Sequence, residues 1–428
     1  MTFTKQLYSN LLWRGLYFVS VFVLNLIIAR QYQATHSGWI NYLTNNFALI
    51  VLVGSFSLEG AILYFAASGK INSNQLASIS LTWTIISTTA IAIIAYIFLY
   101  YNTTVTSKYL VYFACVTYYA GLLLTGFFFN LFIAVKQYIL PSLLLLSINL
   151  LLIVTTPYLF ISSLFTYSSY LYAYYAGFTV QGLALAIAYF RYNKPFVLQW
   201  PSTINLKSLL AYAAQAFAAN LAYFLMYRID YWLINNYCND AAGLGNYIQA
   251  SKLGQMLLMV SVIVAGTLVP YITSNTTAKG VQLIISIIKN YVLLYILIII
   301  VIAVIGTPVL QSLYGSTFTR LGYYFLLLLP GVLSINILTV ISAYFASINQ
   351  VHINILSAIV GLLCILSLNI LLLTNYGITA AAIISSVGYT VAMLVSLAIF
   401  CKHNKVHLVQ LFSYTPADYK WLTHLYKK

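Results

Sequence analysis

Apolar residues along this chain form neither a period-two alternation nor a narrow helical stripe. They come in successive runs of twenty or more, parted by short breaks rich in Asn, Gly, Pro or charge. About 20 apolar residues are needed to carry a helix across hydrocarbon. Only helices and closed barrels satisfy their backbone polar groups there, and these runs are too long for barrel strands. The pattern predicts helices over 7–30, 39–68, 76–101, 108–135, 139–164, 168–191, 207–235, 243–273, 283–306, 319–348, 352–374 and 377–401, twelve in all. The tightest connection, around Asn375 and Gly377, is where a miscount would fall.

The longest polar interruption, 192–206, holds two of the eight prolines and lies near the middle of the chain. It predicts a six-helix lobe over 1–195, a linker over 196–206, a second lobe over 207–401 and a basic tail over 402–428. Gly38-Trp-Ile-Asn41-Tyr42, opening the second helix, recurs as Gly243-Leu-Gly-Asn246-Tyr247, opening the eighth. A parallel six-helix repeat explains both, with a central cavity between the bundles. The expected fold class is an all-α integral membrane protein of about twelve transmembrane helices in two such lobes.

Composition sharpens this. Of 428 residues, 62% are hydrophobic and 5% charged, against roughly 25% charged in soluble domains. That excludes a water-soluble globular enzyme. The net charge of +15 does not point to nucleic acid, because no polar stretch is long enough to carry a basic face. Assigned by side, fourteen basic residues, from Lys5 and Arg14 to Lys427 and Lys428, oppose three, Arg30, Lys108 and Arg320. The positive-inside rule therefore puts both termini in the cytoplasm. The first apolar run has no cleavage site and reads as a retained helix. Cys115, Cys238, Cys364 and Cys401 show no C-x-x-C spacing, and His403 with His407 lacks a completing ligand, so no metal or other cofactor is expected. Tyr419, Trp421, Leu422 and Leu425 predict a tail helix lying on headgroups.

An ionisable side chain at membrane depth is costly and so a candidate for function. At 100° per residue, Asn10, Arg14, Tyr17 and Asn25 share an arc of the first helix, and Asn41, Asn45, Ser55 and Glu59 an arc of the second. Glu59 is the only glutamate in the chain. In the seventh helix Tyr212, Gln215, Tyr223 and Asp230 align while Arg228 points away; Asp230, near the outer end, reads equally as interfacial. In the eighth, Ser251, Lys252, Gln255 and Met259 form a stripe. Arg14 and Lys252 read either as inward cations or as side chains snorkelling to headgroups. Pro270 and Pro330 sit where a bend would serve as a hinge. No phosphate loop, nucleophile elbow or H-E-x-x-H is present, and four acids leave little for paired-carboxylate catalysis.

Tyr227-Arg-Ile-Asp230-Tyr-Trp-Leu-Ile, followed by Gly245-Asn-Tyr247 and Val269-Pro270, resembles the central signature of the bacterial polysaccharide transporter family, the O-antigen and capsule repeat-unit flippases. These belong to the multidrug/oligosaccharidyl-lipid/polysaccharide exporter superfamily. Ala29-Arg30, Gly38 and Ser57-Leu-Glu59-Gly60 resemble its first hairpin, and Asn369 with Tyr376-Gly377-Ile-Thr-Ala380-Ala381-Ala382 a later helix start. The resemblance implies a MATE-like transporter, not an enzyme. It would move undecaprenyl-pyrophosphate-linked oligosaccharide across the bacterial inner membrane by alternating access, for O-antigen, capsule or exopolysaccharide synthesis. Membrane lipids, a polysaccharide polymerase and chain-length proteins are implied as partners, with no nucleic acid, and a monomer as the working unit. Arg14, Lys252 and, more weakly, Arg228 are then expected to bind the pyrophosphate. Glu59 and Asp230 are the candidates for ion coupling. Asn10, Tyr17, Asn25, Asn41, Asn45, Gln215, Tyr223 and Gln255 would line the cavity. The alternatives are a cation-coupled multidrug or small-solute antiporter of the same fold and, from another class, a membrane polysaccharide polymerase or ligase. The outward loops, near 31–38, 236–243 and 306–319, are short for the latter.

Overall fold

The computed structural model describes residues 3–102, 107–161, 167–195, 197–274, 277–348 and 350–407, with 410 and 413. Its described elements are all helical. In chain order they are α1 (Phe3–Ser55), α2 (Leu58–Ala67), α3 (Ser73–Tyr101), α4 (Lys108–Ala134), α5 (Ile139–Ile161) and α6 (Tyr167–Tyr192). The second half follows with α7 (Thr203–Tyr237), α8 (Ala241–Ser274), α9 (Thr277–Val301), a π-helical turn (Ile302–Gly306), α10 (Thr307–Tyr314), α11 (Leu321–Ser347) and α12 (Val351–Asn404).

Ten of these helical stretches are long and apolar enough to cross a membrane. Two of them, Leu12–Ser55 and Val351–Asn404, run 44 and 54 residues, about twice the length that one crossing needs. Each is broken at one residue. Gln33 (φ 56°, ψ −177°) divides the first and Gly377 (φ 61°, ψ −153°) the second. The twelve expected crossings are thereby recovered, with two of their connections reduced to single residues. At Gly377 the left-handed backbone is one that glycine adopts without steric cost.

Two local expectations need correcting. The second predicted helix is not continuous over 39–68: Phe56 and Ser57 both adopt φ 51° between α1 and α2. Two left-handed residues reset the helical phase, so the arc joining Asn41 and Asn45 to Glu59 does not exist as counted. The expected outward loop at 306–319 is helical as far as Tyr314, because the π-helical turn passes the chain into α10 with Pro308 in its first turn, where a missing N–H is harmless. The proposed tail helix from Tyr419 lies outside the described residues.

The chain forms two compact units, one of Tyr8–Tyr32 and Trp39–Leu221, the other of Met1–Leu7, Gln33–Gly38 and Ala222–Lys428. The short stretch 33–38 thus packs with the second half of the chain. The Ala34 N–H donates to Thr317 Oγ1 at 3.2 Å, and a Cβ on Gly245 would stand 2.1 Å from the Ala34 carbonyl oxygen. In the first unit α4 is the packing centre, with Phe127, Phe128 and Phe132 fully buried. In the second, α11 has that place: Tyr324, Leu329, Val340, Ile341 and Tyr344 are buried along it.

Hydrocarbon surroundings give no hydrophobic incentive for apolar helices to associate, so close backbone approach through small residues does that work. In the first unit α4 and α6 meet at Gly121 and Gly182. A Cβ on Gly121 would lie 2.3 Å from Phe178 backbone atoms, and one on Gly182 would lie 2.6 Å from the Gly121 carbonyl oxygen. In the second unit the two halves of α12 meet at Gly361 and Gly388, whose added Cβ atoms would come within 3.0 and 3.1 Å of each other's carbonyl oxygens. Gly121→Val is therefore expected to overpack α4 against α6 and cost about 1–3 kcal/mol. The check is the thermal unfolding midpoint in detergent, with Gly60→Ala, where an added Cβ meets nothing within 4 Å, as the control that should unfold unchanged.

Candidate functional site

The second unit holds a polar cluster built from side chains of α7 and α8. Arg228 projects from α7 and donates from Nη2 to Gln255 Oε1 of α8 at 2.5 Å and from Nη1 to Tyr231 Oη at 3.0 Å. The Tyr231 hydroxyl donates in turn to Ser251 Oγ at 2.8 Å, and Gln255 Nε2 to Ser251 Oγ at 3.3 Å. The guanidinium lies over the Tyr231 ring, 5.2 Å from its centroid. The sequence pattern expected Arg228 to be the weaker of the three cations; the structure instead puts it at the centre of this cluster, bonded to Gln255 one turn from Lys252. A small cavity of about 30 Å³ opens beside it, lined by Tyr227, Ser251, Gly254, Gln255 and Tyr389 among others.

Asp230 is not interfacial. It is 1% exposed, and its carboxylate is fully engaged. Oδ1 accepts from the Tyr231 N–H at 2.9 Å, and Oδ2 accepts from the Tyr247 hydroxyl and from Ser385 Oγ at 3.0 Å. Asp230 and Arg228 each find other partners, as their opposed helical phases require. The aspartate ties α7 to α8 and to the second half of α12, fixing the helix that presents Arg228. Tyr223, which donates to or accepts from Ser342 Oγ at 2.9 Å, belongs to this unit as well. Gln215 is exposed and lies on the part of α7 that packs with the first unit, so the four-residue stripe expected on this helix is shared between the two units.

In the first unit Arg14 sits over the rings of Phe129 and Phe18, 5.0 and 5.6 Å from their centroids. Its described partners are aromatic faces, a setting that keeps a cation at depth without neutralising it. Tyr17, one turn on, lies near Gln181 of α6. Asn25 turns back to the Val21 carbonyl oxygen at 3.4 Å, within its own helix. Asn41 and Asn45 are buried, and both polar atoms of the Asn45 amide lack a hydrogen-bond partner among the described residues. The side chain of Asn10 lies outside the described residues.

Glu59 opens α2 immediately after the Phe56–Ser57 break and faces Gly126 of α4, where an added Cβ would stand 3.8 Å from the Glu59 Cβ. Its Oε2 is buried with no hydrogen-bond partner among the described residues, although Ser55 lies within reach of the carboxyl group. The break is itself anchored, since Ser57 Oγ accepts from Asn220 Nδ2 at 3.1 Å. The two candidate coupling carboxylates are thus unlike: Asp230 has a partner for each oxygen and Glu59 does not. Pro330 lies inside α11 without ending it. Pro270 falls within α8, and its side chain lies outside the described residues. No cluster of three or more His, Cys, Asp or Glu side chains that would hold a metal is present among the described residues.

Sequence reasoning missed Tyr231, Tyr247, Ser385 and Gln181. Tyr231 was within reach of it: three residues beyond Arg228, it must share that residue's helix face. Ser385 gave no signal, being one serine among many on a helix 155 positions away from its carboxylate. The unlike environments of the two acids yield a test. Asp230→Asn replaces an acceptor with an N–H₂ that faces donors, and is expected to cost about 1–3 kcal/mol. Glu59→Gln disrupts no such set and should unfold as the parent protein does. Equal midpoints for the two variants in a detergent melt would overturn the distinction.

No family model matches the chain. A curated relative, the "Probable low-salt glycan biosynthesis flippase Agl15" of Haloferax volcanii, is 22% identical over 198 residues, 45% of this chain and 42% of that protein. The match thus spans less than half the length of the relative. Solved structures agree over nearly the full length. The Vibrio cholerae MATE transporter VcmN, as a point mutant, matches with a TM-score of 0.72 at 16% identity, covering 96% of this chain and 99% of that one. A MOP superfamily transporter from Pyrococcus furiosus matches at 0.69 and 15%, covering 97% and 98%. The eukaryotic MATE transporter AtDTX14 matches at 0.68 and 11%, covering 96% and 98%. This chain is a multi-pass membrane protein with the fold of the MATE-type transporters.

Proposed function

We propose that this protein is a transporter, not an enzyme, and that its substrate is an oligosaccharide linked through pyrophosphate to a polyprenyl lipid, flipped from one leaflet to the other. The observation that carries this reading is a cationic cluster at membrane depth: Arg228 of α7 is held by Tyr231 and by Gln255 of α8, one turn from Lys252 on the same helix. The carboxylate beside Arg228 in sequence, that of Asp230, is held by three donors of its own. A diphosphate matches two cations at membrane depth better than a neutral or cationic drug does. Arg228 supplies fork geometry and Lys252 a mobile point charge. Arg14, over its aromatic rings in the first unit, is a third cation available to an anionic substrate. The name of the Haloferax relative agrees in kind, being that of a glycan flippase.

Glu59 favours a second reading. A carboxyl group with an unsatisfied buried oxygen fits a proton- or cation-coupled exporter, and transporters described as multidrug MATE proteins share this fold. The two readings separate in a strain lacking the protein. Under the first, single lipid-linked repeat units accumulate protected from an impermeant periodate or glycosidase probe. Under the second, surface polysaccharide is unchanged and cationic dyes accumulate. Accumulation of units exposed on the outer face would instead mark a polymerase or ligase. Returned to that strain, Arg228→Ala with Lys252→Ala is expected to lower flipping at least tenfold at parental protein level, about 1.4 kcal/mol or more of lost transition-state stabilisation. Normal flipping by the double variant would remove the pair from the site.

A further inference from the structure

The first unit carries two apolar pockets that the reading above does not use, both along the second half of α1. One lies between its end and the start of α7, with Trp83 of α3 at its edge; the other lies between α1, α3 and α4, so that together they follow a seam of α1. Trp83 of α3 bridges the seam by donating from Nε1 to the Gly54 carbonyl oxygen at 2.8 Å. On one side of the bridge is a groove of about 780 Å³ lined by Val53, Phe56, Trp83, Leu206, Leu210 and Lys207. On the other is a pocket of about 650 Å³ lined by Trp39, Tyr42, Phe47, Ile94, Phe98 and Cys115, with Asn46 at its wall. Side chains in helix seams normally interdigitate to close such space, and each volume lies within the range of ligand sites. Along α3 the adjoining Ile85, Ile86, Ile93 and Ile97 are exposed, so the seam is open along its length to whatever surrounds the helices.

Among the described lining residues of both pockets the single cation is Lys207, and it lies at the basic end of the unit. There the connection after α6 crosses the start of α3, with Gln75 Nε2 donating to the Trp200 carbonyl oxygen at 3.3 Å and the Gln199 N–H to Ser78 Oγ at 3.1 Å. Lys70, at the same end, rests over the Tyr64 ring. A hydrocarbon chain with a phosphate at one end therefore matches the charge as well as the lining. Length selects among such lipids. From Phe56 to Trp39 the seam rises ~25 Å at 1.5 Å per residue. A phospholipid chain reaches only through its own leaflet, roughly 15 Å of a ~30 Å core. A chain that fills both pockets must be longer than one leaflet.

We propose that this seam is the docking track for the polyisoprenoid chain of the phosphate-linked lipid, its phosphate at Lys207 and its chain running past Trp83 into the pocket beside Cys115. This deepens the flippase reading and rests on it. The track would hold the tail in register on the outside of the unit while the polar head crosses elsewhere.

The test reconstitutes the full chain in vesicles of phosphatidylethanolamine and phosphatidylglycerol with a diazirine-bearing polyprenyl phosphate, and maps the adducts by mass spectrometry. Adducts are expected in 39–56 and 83–99 and in 203–214, reduced at least fivefold by excess unlabelled polyprenyl diphosphate and untouched by excess phosphatidylglycerol. Ala95→Trp, filling one pocket, and Leu210→Trp, filling the other, should each lower adduct yield at its own pocket at least fivefold without changing the unfolding midpoint. Lys207→Glu should lower both, with Lys207→Arg restoring them. Adducts confined to other helices overturn the proposal. So does equal labelling by a diazirine phosphatidylglycerol that polyprenyl diphosphate fails to displace, or yields unaffected by both tryptophan variants. The parent protein's flipping of a lipid-linked oligosaccharide is read in the same vesicles. Flipping with no seam adducts rejects the track alone; no flipping rejects the transport reading.

Discussion

Hydrocarbon offers no hydrogen-bond partners, so every polar group carried into it must be satisfied by the protein or by a ligand, and this constraint organises the second unit. Asp230 meets it with three internal donors from three helices. Arg228 meets it through Tyr231 and Gln255, and Tyr231 is shared by the two networks: its N–H serves the aspartate and its hydroxyl the arginine. The acid thereby sets the position of the cation without pairing with it. The two do not bond to one another directly: the hydrogen bonds of Arg228 go to Tyr231 and Gln255.

Neither unit meets the constraint completely: in the second, both polar atoms of the Gln249 amide are buried without partners among the described residues, and the first has exceptions of its own. Both polar atoms of the Asn45 amide and the Oε2 of Glu59 are buried without partners among the described residues. Such groups are rare in native proteins and each calls for an explanation, commonly a water, ion or ligand. Glu59 also follows two left-handed residues, a backbone cost that persists only where the surroundings over-determine it. The contacts that fix it are visible: Asn220 on Ser57, the ring of Phe217 stacked on Phe56 with centroids 5.2 Å apart, and Trp83 on Gly54.

Those same contacts shape the seam along α1. Trp83 and Phe56 hold the chain at the break and at the same time form the wall of the groove that contains Lys207. The polar cluster of the second unit and the apolar pockets of the first are thus built from different parts of the chain. Elsewhere the helices are drawn tightly together by glycine, at Gly121 with Gly182 and at Gly361 with Gly388, so the looseness of this seam is a local property.

Much of this was legible in the sequence, because hydrocarbon imposes one requirement that every crossing meets independently. A run of about 20 apolar residues is sufficient to specify a spanning helix. The number of crossings and the all-helical class followed without tertiary information, as did the rarity of acids that singled out Glu59 and Asp230. What the sequence could not specify depends on contacts between residues far apart along it. Counting at 100° per residue holds only while the helix is regular, so the Phe56–Ser57 break made the phase of Glu59 unreadable. Asp230 looked interfacial until Ser385, 155 positions on, was brought to its carboxylate. Arg228 looked secondary until the tertiary structure brought Gln255 of α8 to its guanidinium. Local hydrophobicity determined which segments lie in the membrane; only the packing of helix on helix decided which of their polar groups are satisfied there and which are left to receive a ligand.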